Sequence, residues 1–140
     1  MHRDSQIGIE PYLASPTVLC SGRDRLARRI LAQALRMEGI AVSEASDTTE
    51  VLDRVARTFL SGRWREPLDL VITDARQDGL QALEPIASLR RVDWATPILV
   101  IVPADDAELF AEAERLGAAA ILEAPFRVPD LVRLLRKLLP

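Results

Sequence analysis

Leu68-Asp69-Leu70-Val71-Ile72-Thr73-Asp74 is a short apolar run that ends on a carboxylate, with Pro67 just before it. A run of this length, bounded by turn residues, is the signature of a buried strand. Working outward, runs of the same kind recur on both sides. Thr17-Val18-Leu19-Cys20 follows Pro16 and stops at the turn Ser21-Gly22-Arg23, and Ile40 to Ala45 fits a second strand. Pro97 to Val102 is the most apolar run of all, as expected of a strand covered on both faces, and Ala119 to Leu122 makes a fifth.

Helical patterns fill the gaps. Asp24 can cap a helix whose apolar face reads Leu26, Ile30, Ala34 and Met37, closed by Gly39. Asp47 or Ser46, with Glu50 after it, forms a capping-box start to a helix placing Val51, Val55 and Phe59 on one face. Ser61-Gly62 and Pro67 bracket a loop. A helix is expected from about Asp78 to Arg91, with Pro85 forcing a kink or a late start. Asp106 to Leu116 is helical and ends at Gly117, and Pro129 opens a last helix with Leu131, Leu134, Leu135 and Leu138 on one face. Five strand–helix units in series force parallel strands with right-handed crossovers, hence an α/β doubly wound three-layer sandwich. Residues 1–15 carry no period and read as a tail, so the domain is expected over 16–140.

Composition narrows the function. The chain has 140 residues, 49% hydrophobic and 28% charged, with a formal net charge of −3. That suits one globular domain. No basic block is longer than a pair, which argues against a dedicated nucleic-acid surface. One cysteine, Cys20, and one histidine are too few for a disulfide or a zinc site. No run reaches membrane-spanning length and no signal-peptide core opens the chain, so a cytoplasmic location is expected.

In such a sheet, functional groups gather beyond the carboxyl ends of the strands. The residues there are Ser21 and Gly22, Asp74, Val102 and Pro103, and Glu123 and Ala124. With LDLVITD ending strand three and ERLGAAAILEAPF spanning strand five, residues 16–139 resemble the response-regulator receiver family of two-component signalling. The resemblance implies a flavodoxin-like five-stranded parallel sheet of order 2-1-3-4-5. In that family a histidine kinase passes phosphate to the aspartate ending strand three, which corresponds to Asp74. A divalent cation, held by an acidic pair at the end of strand one, offsets charge on the transferring group. Those two positions are Ser21 and Gly22 here. The family's lysine after strand five falls on Ala124, its phosphate-reading hydroxyl on Val102, and its switch aromatic on Ile121. The loop after Asp74 is also about three residues short. The family's cis bond before proline implies a cis Ala124–Pro125.

Only the acceptor aspartate survives, so the residues imply a degenerate receiver: a protein–protein interaction module with weak or absent magnesium binding, no other cofactor and no catalysis. Asp74 can be read as a phosphoacceptor or as a retained polar residue at a strand end, and the missing metal ligands favour the second. Asp24 could approach the site only if its loop rearranged, and serves better as a helix cap. Ser21-Gly22 could cradle a phosphate, but no glycine fingerprint accompanies it. Cys20 reads as core before reactive thiol. Trp64 and Trp94 read equally as docking residues or loop packing. Expected partners are signalling proteins, a histidine kinase or a downstream regulator, with no nucleic acid and no membrane. A homodimer through the last two helices and last strand would pair Arg133 and Arg136 with Glu108 and Glu112. The alternatives are a receiver still phosphorylated at Asp74 and, from another class, a small nucleotide-binding domain or enzyme. The latter is disfavoured because no nucleophile–base pair or metal cluster lines the sheet edge.

Overall fold

The computed structural model describes residues 15–60 and 67–140. The expected tail, the Ser61-Gly62 loop and Trp64 lie outside the described residues, apart from Ser15. Five parallel strands, β1 (Thr17–Ser21), β2 (Ala41–Ala45), β3 (Leu70–Asp74), β4 (Ile98–Pro103) and β5 (Ala120–Ala124), form one sheet of order β2-β1-β3-β4-β5. The intervening helices are α1 (Arg25–Arg36), α2 (Thr48–Leu60), α3 (Glu84–Leu89), α4 (Ala107–Arg115) and α5 (Val128–Leu138). This is the flavodoxin-like order that the resemblance implied.

Strand alternation divides the core into two slabs. Val18, Cys20, Leu70, Ile72, Leu99 and Ile101 face α1 and α5, while Leu19, Val71, Ile98, Val100 and Val102 face α2, α3 and α4. β4 is fully buried from Ile98 to Val102. Cys20 sits in the first slab, and desolvation, followed by the charge of Glu44, pushes its thiol up to about 12. It is a core residue.

The face assigned to α1 needs correcting. Leu31, Ala32 and Leu35 are its buried residues, whereas Leu26, Ile30 and Met37 are 68%, 61% and 78% exposed. The helix carries apolar residues on opposite sides, and the packed side includes Arg28. That guanidinium reaches past the core to donate to the Gly22 carbonyl at 2.6 Å and to Glu44 at 3.1 Å, so its charge does not bar the face from the sheet. In α2, Val51 and Val55 are buried as expected but Phe59 is 56% exposed. Its core face passes instead through Arg54 and Thr58, where Arg54 donates to the Thr58 hydroxyl and the Pro67 carbonyl.

The caps follow the sequence closely. Asp24 accepts from the Ala27 N–H at 3.0 Å, Asp47 from Glu50 N–H at 2.8 Å, and Glu50 reaches back to Ser46 N–H at 2.6 Å. The segment after Asp78 forms a 3-10 turn (Gly79–Leu83) before α3 begins, with Pro85 in its first turn. The late start is the one a proline permits.

Trp94 combines the two readings: it is 63% exposed, yet part of its indole packs. It lies under the Arg90 guanidinium, 5.0 Å from ring centroid to carbon, and against Gly117, whose φ of +75° and contact with the indole leave no room for a Cβ. Arg90 in turn donates to the carbonyls of Leu116, Asp93, Thr96 and Gly117, tying two loops together.

Candidate functional site at the carboxyl edge of the sheet

The parallel register brings the ends of β1, β3, β4 and β5 to one edge. Ser21 pairs with Thr73, Asp74 with Ile101, and Pro103 with Ala124. The β1 turn runs close by Asp74: a Cβ built on Gly22 would stand 3.4 Å from the Asp74 Cβ. An open cleft of about 500 Å³ lies beside them, lined among others by Ser21, Ser46, Thr48, Asp74, Asp78 and Glu84.

Asp74 is held by a residue that the sequence reading passed over. Arg76 Nε donates to Asp74 Oδ1 at 2.9 Å, Nη2 donates to Oδ2 at 2.7 Å, and the Arg76 backbone N–H donates to Oδ1 at 3.1 Å. The backbone contact is an Asx-type turn, which aspartate favours two residues before its donor. It folds the chain so that the planar guanidinium meets the carboxylate with both nitrogens, the strong geometry for such a pair. The Asp74 side chain is only 9% exposed and that of Arg76 33%. The hydrogen bond to Asp74 raises the Arg76 guanidinium above its already high ordinary value, and burial partly opposes this. Arg76 also lies over the Phe126 ring, 5.5 Å from its centroid, a cation–π contact just past the cis Ala124–Pro125 bond.

The other positions take their places around this pair without joining it. Val102 is fully buried and has only methyl groups to offer. Ile121 packs, partly buried, against the same core slab. Asp24 stays at its cap, where the Ala27 N–H, then the Gln77 side chain, hold its carboxyl below the usual carboxylate value. Arg133 pairs with Asp130, and Glu112 with Arg115, each within its own helix, while Arg136 reaches Glu38.

These residues do not fit the divalent cation that the resemblance implies. Ser21 and Gly22 supply no carboxylate, both Asp74 oxygens already accept from a guanidinium, and a cation there would meet that positive charge. Among the described residues, no group of three or more histidines, cysteines or carboxylates is placed to hold a metal. A guanidinium supplied by the chain itself stands against the carboxylate.

The model of the response regulator receiver domain matches residues 18–136. The chain belongs to that family. A receiver of this family is a signalling module rather than a typical enzyme. Curated relatives agree. The transcriptional regulatory protein PdtaR of Mycobacterium tuberculosis is 35% identical over 119 residues, 82% of this chain and 52% of that protein. The C4-dicarboxylate transport transcriptional regulatory protein DctD of Pseudomonas aeruginosa is 28% identical over 92% of this chain and 26% of its own length. The chain thus spans between a quarter and a half of these relatives. Among solved structures, a response regulator receiver protein from Burkholderia phymatum superposes with a TM-score of 0.70 at 29% identity, covering 89% of this chain and 94% of that one. Chemotaxis protein CheY4 of Vibrio cholerae, at 23% identity and a TM-score of 0.71, shares the fold. Among the described residues, no helix is long and apolar enough to cross a membrane.

Proposed function

We propose that this receiver works in two-component signalling as a phosphorylation-independent protein–protein interaction module in the cytoplasm. The observation that carries the reading is the Arg76 clamp on Asp74. A nucleophilic carboxylate must offer an oxygen to phosphorus, and here both oxygens accept charge-assisted hydrogen bonds. The acidic pair and the lysine that offset charge elsewhere in the family are replaced by Ser21, Gly22 and Ala124. Losing one preorganised charge-stabilising group commonly costs about 10²–10³ in rate, so losing both kinds makes transfer negligible.

With Val102 and Ile121 in place of the switch pair, the face made by α4, β5 and α5 is held in one state. On this reading it meets a histidine kinase, a downstream regulator or a second copy without toggling. The direct test is mass spectrometry after treatment with acetyl phosphate and magnesium. The expected spectrum shows unmodified protein, and Ala124→Lys alone does not change it, because the metal carboxylates are still missing. A stoichiometric phosphoryl adduct on Asp74 of the unmutated protein overturns the reading.

A further inference from the structure

The open cleft beside Asp74 has so far served only as the setting of the Arg76 clamp. Beneath it lie two hydroxyls with nothing to bond. Ser21 and Thr73 are register partners on β1 and β3, and strand alternation turns both toward the α2 and α3 side, as it does Leu19 and Val71. Thr73 Oγ1 is buried and makes no hydrogen bond among the described residues. Ser21 is 3% exposed, and the part that shows lines the cleft, where no described residue gives its hydroxyl a partner. Folded chains seldom leave buried polar groups unpaired, and one that opens on a cleft points to something bound there.

The walls decide the kind of ligand. Asp47 before α2, Asp78 before the 3-10 turn and Glu84 at the start of α3 all line the cleft. Two of these carboxylates are fixed in place. Asp47 Oδ1 accepts from the Glu50 N–H at 2.8 Å, and Glu84 Oε1 accepts from the Thr48 hydroxyl at 2.9 Å, a bond that also ties the two walls together. Each keeps its second oxygen outside these bonds, and none of the three carboxylates pairs with a cation among the described residues. Arg23 stands exposed at the rim, and Arg76 is engaged by Asp74. Three carboxylates against one guanidinium turn anions away. A metal ion fits no better, because among the described residues no three such groups converge on one point. The acids suit a longer ligand with several N–H donors. The cleft volume of about 500 Å³ is that of a small-molecule site, and Ala82 and Pro85 add apolar lining for methylene groups.

We propose that this cleft binds a linear aliphatic polyamine, its ammonium groups set on Asp47, Asp78 and Glu84 and one N–H donated to the Ser21 hydroxyl. Like the head of a lysine, each primary ammonium brings three donors and no acceptor, which matches walls rich in carboxylate oxygens. The inference does not rest on the reading of Asp74, whose two oxygens already accept from Arg76.

The test is isothermal titration calorimetry of the full chain at low salt with spermidine, and with magnesium chloride and neutral 1,4-butanediol for comparison. Spermidine should bind saturably, one per chain, at least about tenfold more tightly than magnesium, and butanediol should not bind. Asp78→Asn and Glu84→Gln, which keep the side-chain shape and remove the charge, should each weaken spermidine by about threefold to tenfold. Glu108→Gln with Glu114→Gln, on α4 and outside the cleft lining, should leave it unchanged. Ser21→Ala should weaken it by about threefold while the melting temperature of the unligated protein holds or rises, because the lost hydroxyl had no partner. The proposal is overturned if spermidine does not saturate, if magnesium or butanediol binds as well, or if the α4 pair matters as much as Asp78. A lower melting temperature for Ser21→Ala with unchanged affinity assigns that hydroxyl to the fold and equally overturns it.

Discussion

Replacing Arg76 by methionine removes the guanidinium from both oxygens of Asp74 while keeping an unbranched stem to lie against Phe126. The two charge centres are about 4 Å apart, a separation worth ~1 kcal/mol in bulk water and ~4 kcal/mol at an effective dielectric of about 20. The carboxylate is nearly buried and the guanidinium is one-third exposed, so the pair falls between these limits. Desolvation and solvent screening take back part of the gain. A coupling of about 2 kcal/mol is expected. A double-mutant cycle isolates it: urea unfolding of the unmutated protein, Arg76→Met, Asp74→Asn and the double variant, followed by circular dichroism. Arg76→Met alone should cost about 1.5–2.5 kcal/mol, because Asp74 keeps only the backbone N–H of residue 76 among these contacts. It should not gain phosphate from acetyl phosphate, since Ser21 and Gly22 still supply no metal ligand. A coupling under about 0.5 kcal/mol would refute the clamp as a fixed feature, because a pair this buried cannot be formed and yet be worth a surface contact.

Three further outcomes follow from the packing. Leu35→Ala should destabilise the fold by about 2–5 kcal/mol and Ile30→Ala by less than about 0.5 kcal/mol, as measured by urea unfolding; the reverse ranking would restore the α1 face first expected. Gly117→Ala should cost at least about 1–2 kcal/mol, because a side chain there is both left-handed in φ and in collision with Trp94, and tryptophan fluorescence should report the displaced ring. Cys20 should resist iodoacetamide at pH 8 in the folded protein and react in urea. Its thiol is raised from 9.0 to about 12, so the folded state holds the proton more tightly; the stability this provides is complete below pH 9 and is lost as pH climbs from 9 toward 12.

The fold was legible because strand alternation and helix caps are local. LDLVITD, the caps Asp24, Asp47 and Glu50, and the proline that delays α3 each act over a few residues and appear where they were expected. The α1 face was not legible, because Leu26-Ile30-Met37 and Leu31-Leu35 are both apolar at helical spacing and only the tertiary route of Arg28 to Glu44 decides between them. Phe59 failed for a similar reason: Arg54 and Thr58 satisfy each other on the core-facing side of α2. At the site, the missing carboxylates and lysine were visible as letters. Arg76 was not recognised, because its role arises from a turn that brings residue i+2 back to residue i. The shortened loop after Asp74 and the arginine inside it were the available signal.

The reach of the α1 arginines toward β2 also has a consequence for the border of the sheet. Among the described residues β2 pairs only with β1, and no described strand covers its other side. Ala41 and Ala45 turn their backbone groups toward β1, through Ala41 N–H to Pro16 and Ala45 C=O to Gly22 N–H. Val42, out of phase with them, points its carbonyl outward. Arg36 Nη2 donates to that carbonyl at 2.9 Å while pairing with Glu44 on the same strand. An incoming strand would have to displace a guanidinium and strip charge from two side chains before forming its first ladder bond. The helix thus seals the border that its own strand leaves open, and the domain is guarded there against the edge-to-edge stacking that turns exposed strands into aggregates.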